Sequence, residues 1–125
     1  MLRDGLQHGF AAADWQAAKD EARAIMIARA RVRGMIAYSD LAARLTKIKL
    51  GAHDSRLFHF LGEISAEEDA AGRGMLTVLV VHKSGDRQPG PGFFELAQLL
   101  GRDTTDVLDC WVKELNGVYA VWSKR

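Results

Sequence analysis

The sequence predicts an α+β, mainly helical domain, and three observations carry that prediction. Apolar residues recur at three- and four-residue spacing in several stretches, the period of a helix buried along one face. One nearly continuous apolar run, Met75 to Val81, has no such period and reads as a strand buried on both faces. The 125 residues, 48% apolar and 26% charged, suit one globular unit with a full core. The expected organisation is a single domain over 1–125, with an N-terminal helix over 14–33, a core over 34–101, and a C-terminal helix and tail over 102–125.

Asp14 is positioned to cap the first helix, in which Trp15, Ala18, Ala22, Ile25, Met26, Arg29 and Val32 share a face and Gly34 is the stop. Met35–Tyr38 is a short β-prone run. Ser39 reads as the cap of a second helix to about Leu45, with Leu41, Ala42 and Leu45 inward. A basic connection over Thr46–His53 leads to a third helix capped by Asp54 or Ser55, whose buried stripe is expected to be Leu57, Phe58, Leu61 and Ile64. Ser65-Ala66-Glu67-Glu68 resembles a capping box, so the helix is expected to restart there and run to Gly72. The loop His82–Gly92 carries Gly85, Pro89, Gly90, Pro91 and Gly92. A helix over Phe93–Leu100 should end at Gly101. A last helix, capped by Asp103 or Thr104, should end at Asn116 with Gly117 as its left-handed stop, leaving Val118–Trp122 as an edge strand or packed tail.

Composition narrows the function classes. Cys110 is the only cysteine, which rules out an internal disulfide or a cysteine-based zinc site and makes it a small buried hydrophobe. No apolar run approaches the ~20 residues of a membrane span, and Met1–Phe10 lacks the apolar core of a signal peptide. A cytoplasmic protein without membrane, metal or cofactor is the expectation. Net charge is +1, but its distribution is uneven. Lys19 to Arg56 holds nine Lys/Arg against four Asp/Glu, and Leu57 to Arg125 holds seven against ten. A basic N-terminal half points to a polyanionic partner.

Helix, turn, helix, strand and glycine-rich loop in that order outline a winged helix, with the helix from Ser55 as reader and His82–Gly92 as wing. The cations available to phosphates are Arg44, Lys47, Lys49, Arg56, Lys83 and Arg87, with Ser55 and His59 on the reading helix.

Gly34-Met35-Ile36-Ala37-Tyr38-Ser39-Asp40-Leu41-Ala42 resembles a segment in the DNA-binding domain of O6-alkylguanine-DNA alkyltransferases and alkyltransferase-like proteins. Ser55-Arg56-Leu57-Phe58 is similar to that family's A-R-A-V, Val80-Val81-His82-Lys83-Ser84-Gly85 to its V-V-x-x-x-G, and Gly92–Leu100 to the helix after its active-site loop. The resemblance implies a phosphate-contacting role for Tyr38 and a base-gap-filling role for Arg56. The family's nucleophilic P-C-H-R is replaced by Leu76-Thr77-Val78-Leu79, and its Y-S-G-G by Pro89-Gly90-Pro91-Gly92. Alkyl transfer is therefore excluded, and no catalytic residue is expected.

Plainer roles compete. Tyr38 also fits a half-buried strand aromatic. His59 and Glu63 fit a surface pair four residues apart, as well as an acid–base or metal cluster with His82. Trp111 and Trp122 fit the core or a dimer contact. The expected function is non-catalytic binding of double-stranded DNA, the alternative being a protein–protein module or homodimer on the same fold.

Overall fold

The computed structural model describes residues 6–83 and 88–123. The chain is α+β and mainly helical. A two-residue hairpin pairs β1 (Leu6–Gln7) with β2 (Phe10–Ala11) and leads directly into α1 (Ala12–Arg31). There follow β3 (Ile36–Ala37), α2 (Tyr38–Arg44), α3 (Ser55–Ala70), a 3₁₀ helix (Leu76–Leu79), β4 (Val80–Val81), α4 (Pro91–Leu99) and α5 (Val107–Trp122). β3 and β4 pair in parallel, Ile36 opposite Val80 and Ala37 opposite Val81.

Alanine, the strongest helix former, recurs along α1, and the helix starts at Ala12, two residues before the expected Asp14 cap. Trp15, Ala18, Ala22, Met26 and Ala30 are buried at helical spacing. The small alanines let α3, α5 and the 3₁₀ helix approach closely, and Trp15 meets the Phe60 ring edge-on at 5.2 Å. At its end the left-handed residue is Arg33 (φ 54°) rather than Gly34, whose N–H closes back on Arg29 O at 2.8 Å.

Four expectations are corrected. α2 begins at Tyr38 with Ala37 in the cap position, so Ser39 lies inside the helix. α3 is continuous through Ser65, whose hydroxyl is buried 2.5 Å from the Thr77 hydroxyl and also accepts the Thr77 N–H. That side chain serves the core and cannot cap a restart. The stripe of α3 uses Phe60 in place of Phe58, because Leu57, Phe60, Leu61 and Ile64 hold the helical angle while Phe58 is 47% exposed. In the run from Met75 to Val81 only Val80 and Val81 are strand, although every residue in it is buried. A run apolar at every position but Thr77 has no periodicity to choose between helix and strand, and the packing of α1, α3 and α5 around it leaves Leu76–Leu79 coiled.

At the C-terminal end, Pro91 opens α4 as its first residue and Gly101 (φ +91°) ends it, with Arg102 N–H bonded to Ala97 O. α5 is capped by Asp106 and not by Asp103 or Thr104. It passes through Gly117 to Trp122, so Val118–Trp122 is helix and neither edge strand nor tail. Burial of Val118, Tyr119 and Trp122 outweighs the helix-weakening glycine, and Tyr119 donates its hydroxyl to Gly34 O at 2.7 Å. No helix among the described residues is long and apolar enough to cross a membrane.

Candidate nucleic-acid interface

The connection between α2 and α3 alternates by necessity. Leu45, Ile48 and Leu50 are buried in the core, which turns Thr46, Lys47 and Lys49 outward. Glu21 on α1 ties the segment down: its carboxylate accepts the Thr46 N–H at 2.8 Å and the Thr46 hydroxyl at 2.6 Å. These bonds hold the Glu21 carboxyl below its usual range. Arg44, Lys47 and Lys49 are therefore exposed cations on an anchored backbone, and among the described residues none of them forms a salt bridge.

The other expected residues are placed differently. Arg56, in the first turn of α3, is clamped. Its Nε and Nη2 donate to the Asp54 carboxylate at 2.7–3.2 Å, its Nη1 donates to His8 O at 3.2 Å, and its guanidinium lies 4.8 Å from the Phe10 ring centre. The Arg56 side chain beside Asp54 holds that carboxyl down at about 2. Lys83 is exposed and pairs with Asp40 at 3.3 Å. Ser55 and His59 are exposed on α3, His59 with its ring 5.2 Å from that of His8. Arg87, with Ser84, Gly85 and Asp86 of the expected wing, lies outside the described residues.

Tyr38 is half-buried and begins α2 rather than ending a strand. Its hydroxyl accepts the Gly90 N–H at 2.8 Å, joining α2 to the start of α4 across 52 positions. Burial pushes that hydroxyl above its ordinary range. His82 packs against the same pair, 5.3 Å from the Tyr38 ring. It does not complete a cluster with His59 and Glu63. Glu63 instead accepts from Trp15 Nε1 and Lys19 Nζ, with His8 Nε2 at 3.8 Å. Among the described residues no group of three or more His, Cys, Asp or Glu is placed to hold a metal. Trp111 donates to Val78 O at 3.1 Å and Trp122 is buried, so both rings belong to the chain's own core.

Sequence spacing gave no hint of a cavity of about 260 Å³ between the starts of α2, α3 and α4. Leu57, Phe58, Leu61, Phe93 and Leu96 form its walls, and Tyr38, His53, Asp54 and Ser55 its polar edge. Gly92 is required here: a Cβ would lie 2.1 Å from Phe58 Cε1, so only glycine lets that ring close one side. Comparison with known protein families, curated proteins and solved structures yields no match for this chain.

Proposed function

We propose that the chain is a non-catalytic, winged-helix-like module that binds duplex DNA, related to the DNA-binding domain of the alkyltransferase-like proteins. The observation that carries this reading is the anchored trio Arg44, Lys47 and Lys49, exposed without salt-bridge partners among the described residues just ahead of α3. Unpaired cations on a fixed backbone displace counterions from phosphates without first breaking an internal bond. The family-like segments fall, in chain order, on β3 with α2, the first turn of α3, β4, and α4. The stretch replacing the family's nucleophilic motif is the buried 3₁₀ helix, and Cys110 lies on α5, its thiol raised by burial, which favours a role without alkyl transfer. Arg56 in this reading braces the start of α3, and phosphate contact falls to the connection.

Fluorescence anisotropy with a labelled duplex tests the proposal. Three phosphate contacts predict a log–log salt slope of about −3. Changing Arg44, Lys47 and Lys49 together to Glu should remove that slope and the binding with it. A second reading, a protein-interaction module on the same fold, is favoured by the exposed apolar side chains Leu99, Val107, Leu108 and Val112 at the end of α4 and the start of α5. Duplex binding that the triple change leaves intact removes the trio from the account, and absence of saturable duplex binding at about 50 mM salt ends the DNA reading in favour of the second.

A further inference from the structure

We infer that the outer face of α5 is a self-association surface, through which two copies of this chain pair as an antiparallel helix dimer. The inference gives an occupant to apolar side chains that the second reading above leaves without one. It rests on their exposure and not on duplex binding.

Spacing is the first observation. Leu108, Val112 and Leu115 follow one another by four and then three residues, the period that keeps a single stripe in line along a helix. The chain's own core takes Cys110, Val118, Tyr119 and Trp122 from α5. Leu108, by contrast, is 52% exposed, Val112 is 41% exposed and Leu115 is half-buried. The stripe therefore runs along the border of the buried face, with its first two side chains turned to water.

Charge selects the occupant. Beside the stripe, Asp109 and Lys113 pair one turn apart at 3.0 Å, with side chains 56% and 78% exposed. The two lie equally far before and after Trp111 in the chain. A two-fold axis at the level of Trp111, perpendicular to two antiparallel copies of α5, therefore brings each Asp109 opposite Lys113 of the second copy. The same axis sets Leu108 in the gap between Val112 and Leu115 of the second copy, and Asp106 level with Asn116. One register thus satisfies the apolar stripe and both charge pairs, the self-complementarity that an isologous contact requires. A parallel pairing instead sets Asp109 against Asp109 and Lys113 against Lys113, and like charges oppose it. Glu114 puts no free carboxylate into the contact, because it accepts from Arg102 and the Met75 N–H of its own chain. A flank that is neutral in sum offers no grip to a nucleic acid or a strongly charged peptide.

Area sets the strength. The 16 residues of α5 make about four turns, and one stripe of that length buries less than the ~1,200 Å² at which stable interfaces begin. The dimer is accordingly weak and concentration-dependent.

Sedimentation velocity on the full chain without DNA, at about 150 mM salt, tests it. The average mass should rise from one chain toward two, with a Kd of about 10–100 µM. Leu108→Glu combined with Val112→Glu should weaken the dimer at least about 100-fold and leave the melting temperature in place, both side chains being exposed already. Asp109→Lys alone and Lys113→Asp alone each set like charges across the axis and should each weaken it about tenfold. These two exposed positions also serve if the glutamate variant does not fold. An equimolar mixture of the two charge variants should recover the original Kd, because every charge in the mixed pair then meets its opposite. The ion pair within each chain stays broken in both variants, so a merely structural role cannot produce that recovery. A chain that stays single up to about 1 mM overturns the dimer and leaves the face to an unlike partner. Undiminished association in the glutamate variant overturns this face as the contact, and a mixture no tighter than its components overturns the antiparallel register. Changing Arg44, Lys47 and Lys49 should leave the Kd as it is, so the dimer and duplex binding can fail separately.

Discussion

Two regions of this molecule carry charge and use it in opposite ways. Along the seam between α1, α3 and α5, cations and carboxylates are matched one against another. Lys19, 4% exposed, donates to Glu63 at 3.1 Å and Glu67 at 2.7 Å. Arg23 reaches Glu67 at 2.6 Å and Glu68 at 3.1 Å. Glu68, 2% exposed, also accepts two bonds from Arg73, and Arg102 spans Asp69 and Glu114 at 2.6–2.9 Å. Across the connection from Leu45 to Asp54 the Lys47 and Lys49 side chains are exposed, while the backbone is held through Thr46 by Glu21. In the seam Lys19 and Arg23 of the basic N-terminal half meet Glu63, Glu67 and Glu68 of the acidic C-terminal half. The two regions therefore differ in whether their charges are partnered within the chain.

That contrast can be broken from the seam side first. Arg102→Met leaves the Glu114 and Asp69 carboxylates facing each other without their shared cation, and should destabilise the fold by about 3 kcal/mol in urea unfolding. A cost near zero would mean that the seam is as dispensable as an exposed pair. The next effect is on pH dependence. Hydrogen bonds from Arg73, and then the nearby charges of Arg73 and Arg23, hold the Glu68 carboxyl below its usual 4.5. A depressed folded-state value adds stability that is fully present above pH 4.5 and is lost as pH falls below it through the folded value. Glu68→Gln should therefore flatten the fall in melting temperature on acidification, and an unchanged profile would remove Glu68 from the account.

Smaller effects sharpen the comparison. Gly117 sits inside α5 with nothing within 4 Å of a Cβ position, so Gly117→Ala should stabilise by roughly 0.5–1 kcal/mol in thermal melts. On the connection, changing Arg44, Lys47 and Lys49 to Glu should move stability by no more than about 0.5 kcal/mol. Loss of folding in that variant would show these cations to be structural after all.

What was legible in the sequence was whatever local periodicity or local chemistry controls. The three-to-four spacing locates α1, Asp54 or Ser55 marks the start of α3, with Asp54 the actual cap, and Gly101 marks the end of α4. The cations of the connection could also be read, as a basic stretch between two helices, whereas the burial of Ile48 and Leu50 between them emerges from the packing. Only the tertiary structure decided the conformation of Leu76–Leu79, the continuation of α5 past Gly117, the clamping of Arg56 by Asp54 and His8, and the reach of Tyr38 to Gly90. Leu76–Leu79 has no period of its own, and Gly117 is outweighed by burial of residues beyond it. His8 and Gly90 approach their partners across 48 and 52 positions, distances at which sequence order says nothing about proximity. Hydrophobic spacing acts over one or two helical turns, whereas burial and ion pairing act through space, and the cavity and the paired seam exist only once the helices have packed.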